Sequence, residues 1–91
     1  MVKSNPVVLF MKGTSAAPQC GYSATVVRIL KDLGAFEIKG INILNDQIIK
    51  DQVKAYSNWP TFPQLYVNGK FVGGCDIVRE MDDSGDLKKL L

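Results

Sequence analysis

Gln64-Leu65-Tyr66-Val67-Asn68-Gly69-Lys70-Phe71-Val72 reads as a β-hairpin. Two runs containing apolar residues flank Asn-Gly, the strongest short hairpin signal. Just before it, Trp59-Pro60-Thr61-Phe62-Pro63 cannot be helical, because each proline pushes its predecessor into an extended conformation. Further back, Asn45 or Asp46 is placed to cap a helix running to about Tyr56, with Ile49, Val53 and Tyr56 as its buried stripe. Phe36-Glu37-Ile38-Lys39-Gly40-Ile41 alternates apolar and polar residues before Gly40, as a strand does. From about Cys20 to Leu33 the pattern is helical, with Val26, Ile29, Leu30 and Leu33 on one face and Gly34 as the stop. Val7-Val8-Leu9-Phe10-Met11 is a continuous apolar run and reads as a fully buried strand. Beyond the hairpin, Gly73-Gly74 ends the second strand. Cys75-Asp76-Ile77-Val78 then opens a short helix with Asp76 as its N-cap, and Asp86 caps a last turn through Leu91.

The resulting order, β-α-β-α-β-β-α, is that of the α/β thioredoxin fold: a four-stranded mixed sheet flanked by helices on both faces. Ninety-one residues make one small domain at roughly 100–200 residues per domain. With 46% hydrophobic and 22% charged residues the chain can build a core, so disorder is not expected. The net charge of +2, with signs interspersed, is too weak and scattered for a nucleic-acid or membrane surface. No apolar run approaches the ~20 residues needed to cross a bilayer, and Met1-Val2-Lys3-Ser4-Asn5-Pro6 resembles neither a signal nor a transit peptide. Two cysteines do not make a disulfide-stapled secreted scaffold; they fit a reducing compartment. With no histidine, His-based acid–base catalysis, Cys–His dyads and His-containing metal sites are excluded.

Chemistry concentrates at Pro18-Gln19-Cys20-Gly21-Tyr22-Ser23. A thiol following a strand and loop and opening a helix faces the positive end of the helix dipole and unpaired N–H groups. Both favour the thiolate. A buried cysteine serving as a small apolar residue is the alternative, but the loop-like flanks and Gly21 leave this sulfur uncrowded. Three residues on stands Ser23, where a dithiol oxidoreductase needs a second cysteine. A hydroxyl cannot resolve a mixed disulfide. Cys20 therefore finishes its chemistry with an external thiol, with Cys75, or by holding something.

Here the chain resembles the monothiol glutaredoxins, which carry a Cys-Gly-Phe-Ser active site. The resemblance runs from about Val7 to Leu91 and rests on Lys12-Gly13-Thr14, Pro18 to Ser23, Trp59-Pro60-Thr61-Phe62-Pro63-Gln64 and Gly73-Gly74-Cys75-Asp76. Tyr22 departs from the family's usual Phe and leaves Cys20 and Ser23 untouched. The resemblance implies a glutathione site beside Cys20, with Lys12 and Lys50 pairing with the glycine-end carboxylate. Thr61-Phe62-Pro63 would hold a cis proline, leaving the Phe62 backbone to pair antiparallel with the cysteine of glutathione. The backbone of Cys75 and the backbone or side chain of Asp76 would hold the γ-glutamyl amine and carboxylate. Blander readings stand beside these: Lys12 and Lys50 as solvated charges, Trp59 as a packing residue, and Asp76 as a plain cap. Cys75 is either a small residue packed beneath the site or an oxidative partner of Cys20, the latter requiring Cα atoms within about 7 Å.

The family's work implies a [2Fe–2S] cluster assembled, carried and delivered to acceptor proteins. Such a cluster normally needs four thiolates and one chain offers at most two. A homodimer supplies four either as two Cys20 thiolates with two glutathione thiols, which the resemblance favours, or as Cys20 and Cys75 from both chains. The alternative function is enzymatic: Cys20 as the nucleophile of a glutathione-dependent thiol–disulfide exchange, with weak deglutathionylating activity. A third is a binding module acting with BolA-family partners. The expected compartment is a reducing intracellular one, cytoplasm or an organelle matrix.

Overall fold

The structure, a computed structural model, describes residues 6–14, 16–35 and 38–91. Strand β1 (Val7–Met11) is buried along its whole length, which is why its sequence is apolar without alternation. It pairs in parallel with β2 (Ile38–Asn42) on one side and antiparallel with β3 (Gln64–Val67) on the other. β3 in turn pairs antiparallel with β4 (Lys70–Gly73), giving the order β2-β1-β3-β4. Asn68 and Gly69 both have positive φ, 51° and 81°. A two-residue turn of the primed type requires this, and Asn-Gly adopts it most readily.

Helix α1 (Gly21–Asp32) follows β1, and its last turn closes as Gly34 N–H donates to the Lys31 carbonyl. Helix α2 (Gln47–Ser57) is capped by Asp46, whose carboxylate accepts from the N–H groups of Ile48 and Ile49. A 3-10 turn over Ile43–Asn45, absent from the sequence reading, precedes it. Helices α3 (Cys75–Ser84) and α4 (Asp86–Leu90) complete the described fold. This is the thioredoxin arrangement expected from the element order.

Three local expectations are corrected. Asp76 is not an N-cap: Gly74 holds that position, and Asp76 lies in the first turn of α3, where its charge complements the helix dipole. Asp86 likewise sits inside α4, behind Gly85. Tyr56 is 63% exposed; Ile49 and Val53 cover the sheet, and the helix ends just past Tyr56, whose ring lies 6.0 Å from the Tyr66 ring. Of the expected second strand, Phe36 and Glu37 lie outside the described residues.

Alternation along β1 splits the core in two. Val7, Leu9 and Met11 face Val26, Leu30, Val78 and Leu87 from α1, α3 and α4. Val8 and Phe10 face Ile43, Val53, Phe62 and Tyr66 on the α2 side. The strand directions also place the site. β1 ends where the antiparallel β3 begins, Phe10 opposite Gln64, and β4 ends there too, Leu65 opposite Gly73. Lys12, Phe62–Pro63 and Gly74–Asp76 therefore meet at one end of the sheet, beside the start of α1.

Candidate functional site

Cys20 is the N-cap of α1, half-buried, with extended backbone (φ −146°, ψ 137°). A helix leaves its first N–H groups without intrahelical partners. The sulfur makes no regular capping hydrogen bond, yet these groups act on it. The Ser23 N–H does most to hold the Cys20 pKa below the ordinary thiol range. The Tyr22 N–H, the Lys12 charge and the Ser23 hydroxyl add to it, and partial burial opposes them. These surroundings thus favour the Cys20 thiolate, the nucleophilic and metal-binding form, more than an ordinary thiol's would.

Ser23 does more than replace a cysteine. It is fully buried, and its Oγ accepts from the Lys12 N–H at 3.2 Å, tying the end of β1 to the first turn of α1. The next N–H, of Gly13, donates to Asn42 Oδ1 at 3.1 Å, and Gln19 N–H donates to the Lys12 carbonyl at 2.9 Å. Gly13 has φ +92°, and a Cβ there would lie 2.6 Å from Gln19 N and 2.7 Å from Ala17 O. Only glycine fits such a position. Lys12 is held in this way beside Cys20.

A cleft of about 480 Å³ opens beside the thiol. All seven residues singled out from the sequence line it: Lys12, Cys20, Lys50, Phe62, Pro63, Cys75 and Asp76. The Phe62–Pro63 peptide is cis, and Phe62 engages no backbone partner among the described residues. The sequence reading missed Lys54, which also lines the cleft. It stands one turn beyond Lys50, and the i, i+4 spacing that puts both on one helix face was the available signal. Trp59 both lines the cleft and packs on Phe71, ring centroids 5.7 Å apart. Tyr22 stands at the rim, 63% exposed.

The second thiol is in the opposite setting. Cys75 is buried in the cluster formed with α1 and α3. Burial pushes its pKa up, with the Asp76 and Cys20 charges adding and Arg79 opposing. Among the described residues no three His, Cys, Asp or Glu side chains gather to hold a metal ion, and no helix is long and apolar enough to cross a membrane.

Residues 7–72 match the glutaredoxin family model. The chain is 56% identical over 90 residues to a probable monothiol glutaredoxin 2 of Rickettsia conorii, covering 99% of this chain and 83% of that protein. It superposes on the solution structure of a reduced apo glutaredoxin from poplar with a TM-score of 0.87 and 55% identity, covering 97% of this chain and 80% of that one. A buckwheat glutaredoxin–glutathione complex also matches, with a TM-score of 0.87, 31% identity and coverage of 99% and 79%. With a single cysteine at the start of α1, serine three residues on, and these relatives, the chain belongs to the glutaredoxin family, in its monothiol branch.

Proposed function

We propose that this chain binds glutathione in the cleft and, as a dimer, carries a [2Fe–2S] cluster as cargo for delivery to acceptor proteins. One observation carries the reading: each chain offers a single partly exposed thiol at a helix N-terminus, Cys20, whose surroundings favour its charge, while Cys75 is buried and its burial disfavours charge. Two chains then present two thiolates, and a cluster that takes four draws the other two from glutathione. The donor set fits this mixed arrangement and fits poorly with four protein thiolates. Half the ligands are then small exchangeable molecules, which suits transfer.

Glutathione has two carboxylates and an amine. Lys12 and Lys50 would pair with the glycine-end carboxylate, and Lys54 adds a third cation to that wall. The unengaged Phe62 backbone would pair with the middle residue of the tripeptide. At the start of α3 the Cys75 backbone and Asp76 would hold the γ-glutamyl end, its carboxylate favoured by the helix dipole and its amine by the Asp76 carboxylate. That a neighbour of this fold, the buckwheat glutaredoxin, forms a glutathione complex supports glutathione as the ligand. The two unpaired thiols suit a reducing compartment.

The lowered Cys20 pKa favours a second activity at the same site. The Cys20 thiolate attacks the glutathione sulfur of a glutathionylated protein, forming Cys20–S–SG and releasing the protein thiolate. A glutathione thiolate then attacks the glutathione sulfur of that adduct, freeing Cys20 and leaving glutathione disulfide.

The test is anaerobic reconstitution with iron and sulfide, with and without glutathione, read by visible absorption and native mass. A coloured dimer that forms only with glutathione is expected. Cys20→Ser should abolish it and Cys75→Ser should leave it largely intact. A colourless monomer in both conditions would discard cluster carriage in favour of thiol exchange, and loss of colour in Cys75→Ser despite ample glutathione would favour four protein thiolates.

A further inference from the structure

Gln64 opens β3 with no exposed surface, and its side chain lies outside the cleft lining. Burying a carboxamide is unfavourable unless its donors and acceptor are met. Both Nε2 protons are spent on one segment: Nε2 donates to the Trp59 carbonyl at 3.0 Å and to the Thr61 carbonyl at 3.1 Å. Oε1 accepts a longer bond, 3.4 Å, from the Tyr66 hydroxyl. The orientation is fixed by these neighbours, since the reverse would aim an oxygen at two carbonyls.

Residues 58–63 belong to neither helix nor strand, and Pro60 and Pro63 bring no N–H. Such a segment cannot hold its own shape with backbone bonds. Its other anchor is Ser57 in the last turn of α2, whose Oγ accepts from the Trp59 N–H at 3.2 Å and donates to the Val53 carbonyl at 2.9 Å. Both peptide groups of Trp59 are thus held, one from α2 and one from β3. The same α2 carries Lys50 and Lys54, and the segment carries Phe62.

We infer that Gln64, seconded by Ser57, is a positioning residue of the ligand cleft: it fixes the Phe62 backbone relative to the lysines of α2, so that both can engage one peptide ligand. This rests on the glutathione reading above. A leucine would satisfy burial at position 64 and leave two carbonyls unpaired, so the polar side chain is explained by the geometry it imposes.

The experiment is a glutathione titration of isotope-labelled full chain, wild type against Gln64→Leu and Ser57→Ala, followed by amide shifts and by the single Trp59 indole N–H. Thermal melting and the rate of Cys20 alkylation at neutral pH are measured in parallel. Gln64→Leu should weaken binding about tenfold or more and blunt the Phe62 and Trp59 shifts, with alkylation within about twofold of wild type. Ser57→Ala should weaken binding about threefold. That split between affinity and thiol reactivity is the signature, because a general fold defect would lower both. Binding within about twofold in Gln64→Leu, or parallel loss of affinity and alkylation, overturns the inference. If Gln64→Leu does not fold, unchanged affinity in Ser57→Ala overturns it. Failure of the wild type to bind glutathione removes both the reading and the inference, whereas tight binding by all three chains removes only the inference.

Discussion

At Cys20 the sulfur sits where α1 has N–H groups to spare, and the Ser23 N–H in particular favours its charge; at Cys75, burial favours the neutral thiol. The two groups therefore link to pH in opposite senses. Cys20, with its pKa lowered by folding, stabilises the fold above the ordinary thiol value of 9.0, and this contribution is lost as pH falls through its folded pKa. Cys75, with its pKa raised, contributes below 9.0 and loses that contribution as pH rises through its folded value. The measurable consequence is reactivity. In Cys75→Ser, alkylation by iodoacetamide should follow a midpoint below 9.0, and in Cys20→Ser the remaining thiol should follow a midpoint above it. Lys12→Gln should move the Cys20 midpoint upward, because its charge is one of the groups favouring the thiolate. Coincident profiles for the two single-cysteine variants would contradict this assignment.

Two elements set the site's geometry through residues that do not line the cleft, Gly13 after β1 and Asp46 before α2. In the segment from Lys12 to Gln19, Gly13→Ala would press a methyl against two backbone atoms in a left-handed conformation. No flexible side chain can yield there, so a cost of about 1–3 kcal/mol is expected by denaturant unfolding, together with slower alkylation of Cys20 as Lys12 is displaced. At the start of α2, Asp46→Ala removes a carboxylate that accepts two N–H groups and should cost about 1 kcal/mol. These elements differ in how openly the sequence announces them. Asp46 before a helical stripe, Asn68-Gly69 between strands and the unbroken run Val7–Met11 are local signals, and each element appears where those residues place it. Capping at Asp76 and Asp86 failed because a cap is set by the backbone of the residue before the helix, and Gly74 and Gly85 take those positions. The three-residue turn Ile43–Asn45 is too short to show a period. Gln64 reads in the sequence only as the first residue of a strand: its bonds to the Trp59 and Thr61 carbonyls, five and three residues back, depend on the irregular path of that segment, which no periodicity reveals.

At the scale of the molecule, one sheet separates two cores and gathers the cleft at one end of its strands. Recognition of Cys20 and its companions relied on four short motifs scattered over the chain, and the strand order β2-β1-β3-β4 explains why they converge. The ends of β1 and β4 and the beginning of β3 lie together, so residues some fifty positions apart in sequence share one cleft. The same sheet should insulate the cores energetically. Leu30 is fully buried on the α1 side and Ile43 nearly so on the α2 side, in separate clusters. Leu30→Ala should cost about 2–5 kcal/mol and Ile43→Val about 0.5–1.5 kcal/mol. With β1 and its neighbours between them, the double variant should be additive to within about 0.5 kcal/mol. Leu30→Ala combined with Val78→Ala lies within one cluster, across the α1–α3 packing, and should depart from additivity by more than that. Denaturant melts of the five variants decide the matter. Strong coupling between Leu30 and Ile43 would mean that the sheet transmits packing changes from one face to the other, and substitutions on the α1 side would then be expected to disturb the α2 lysines as well.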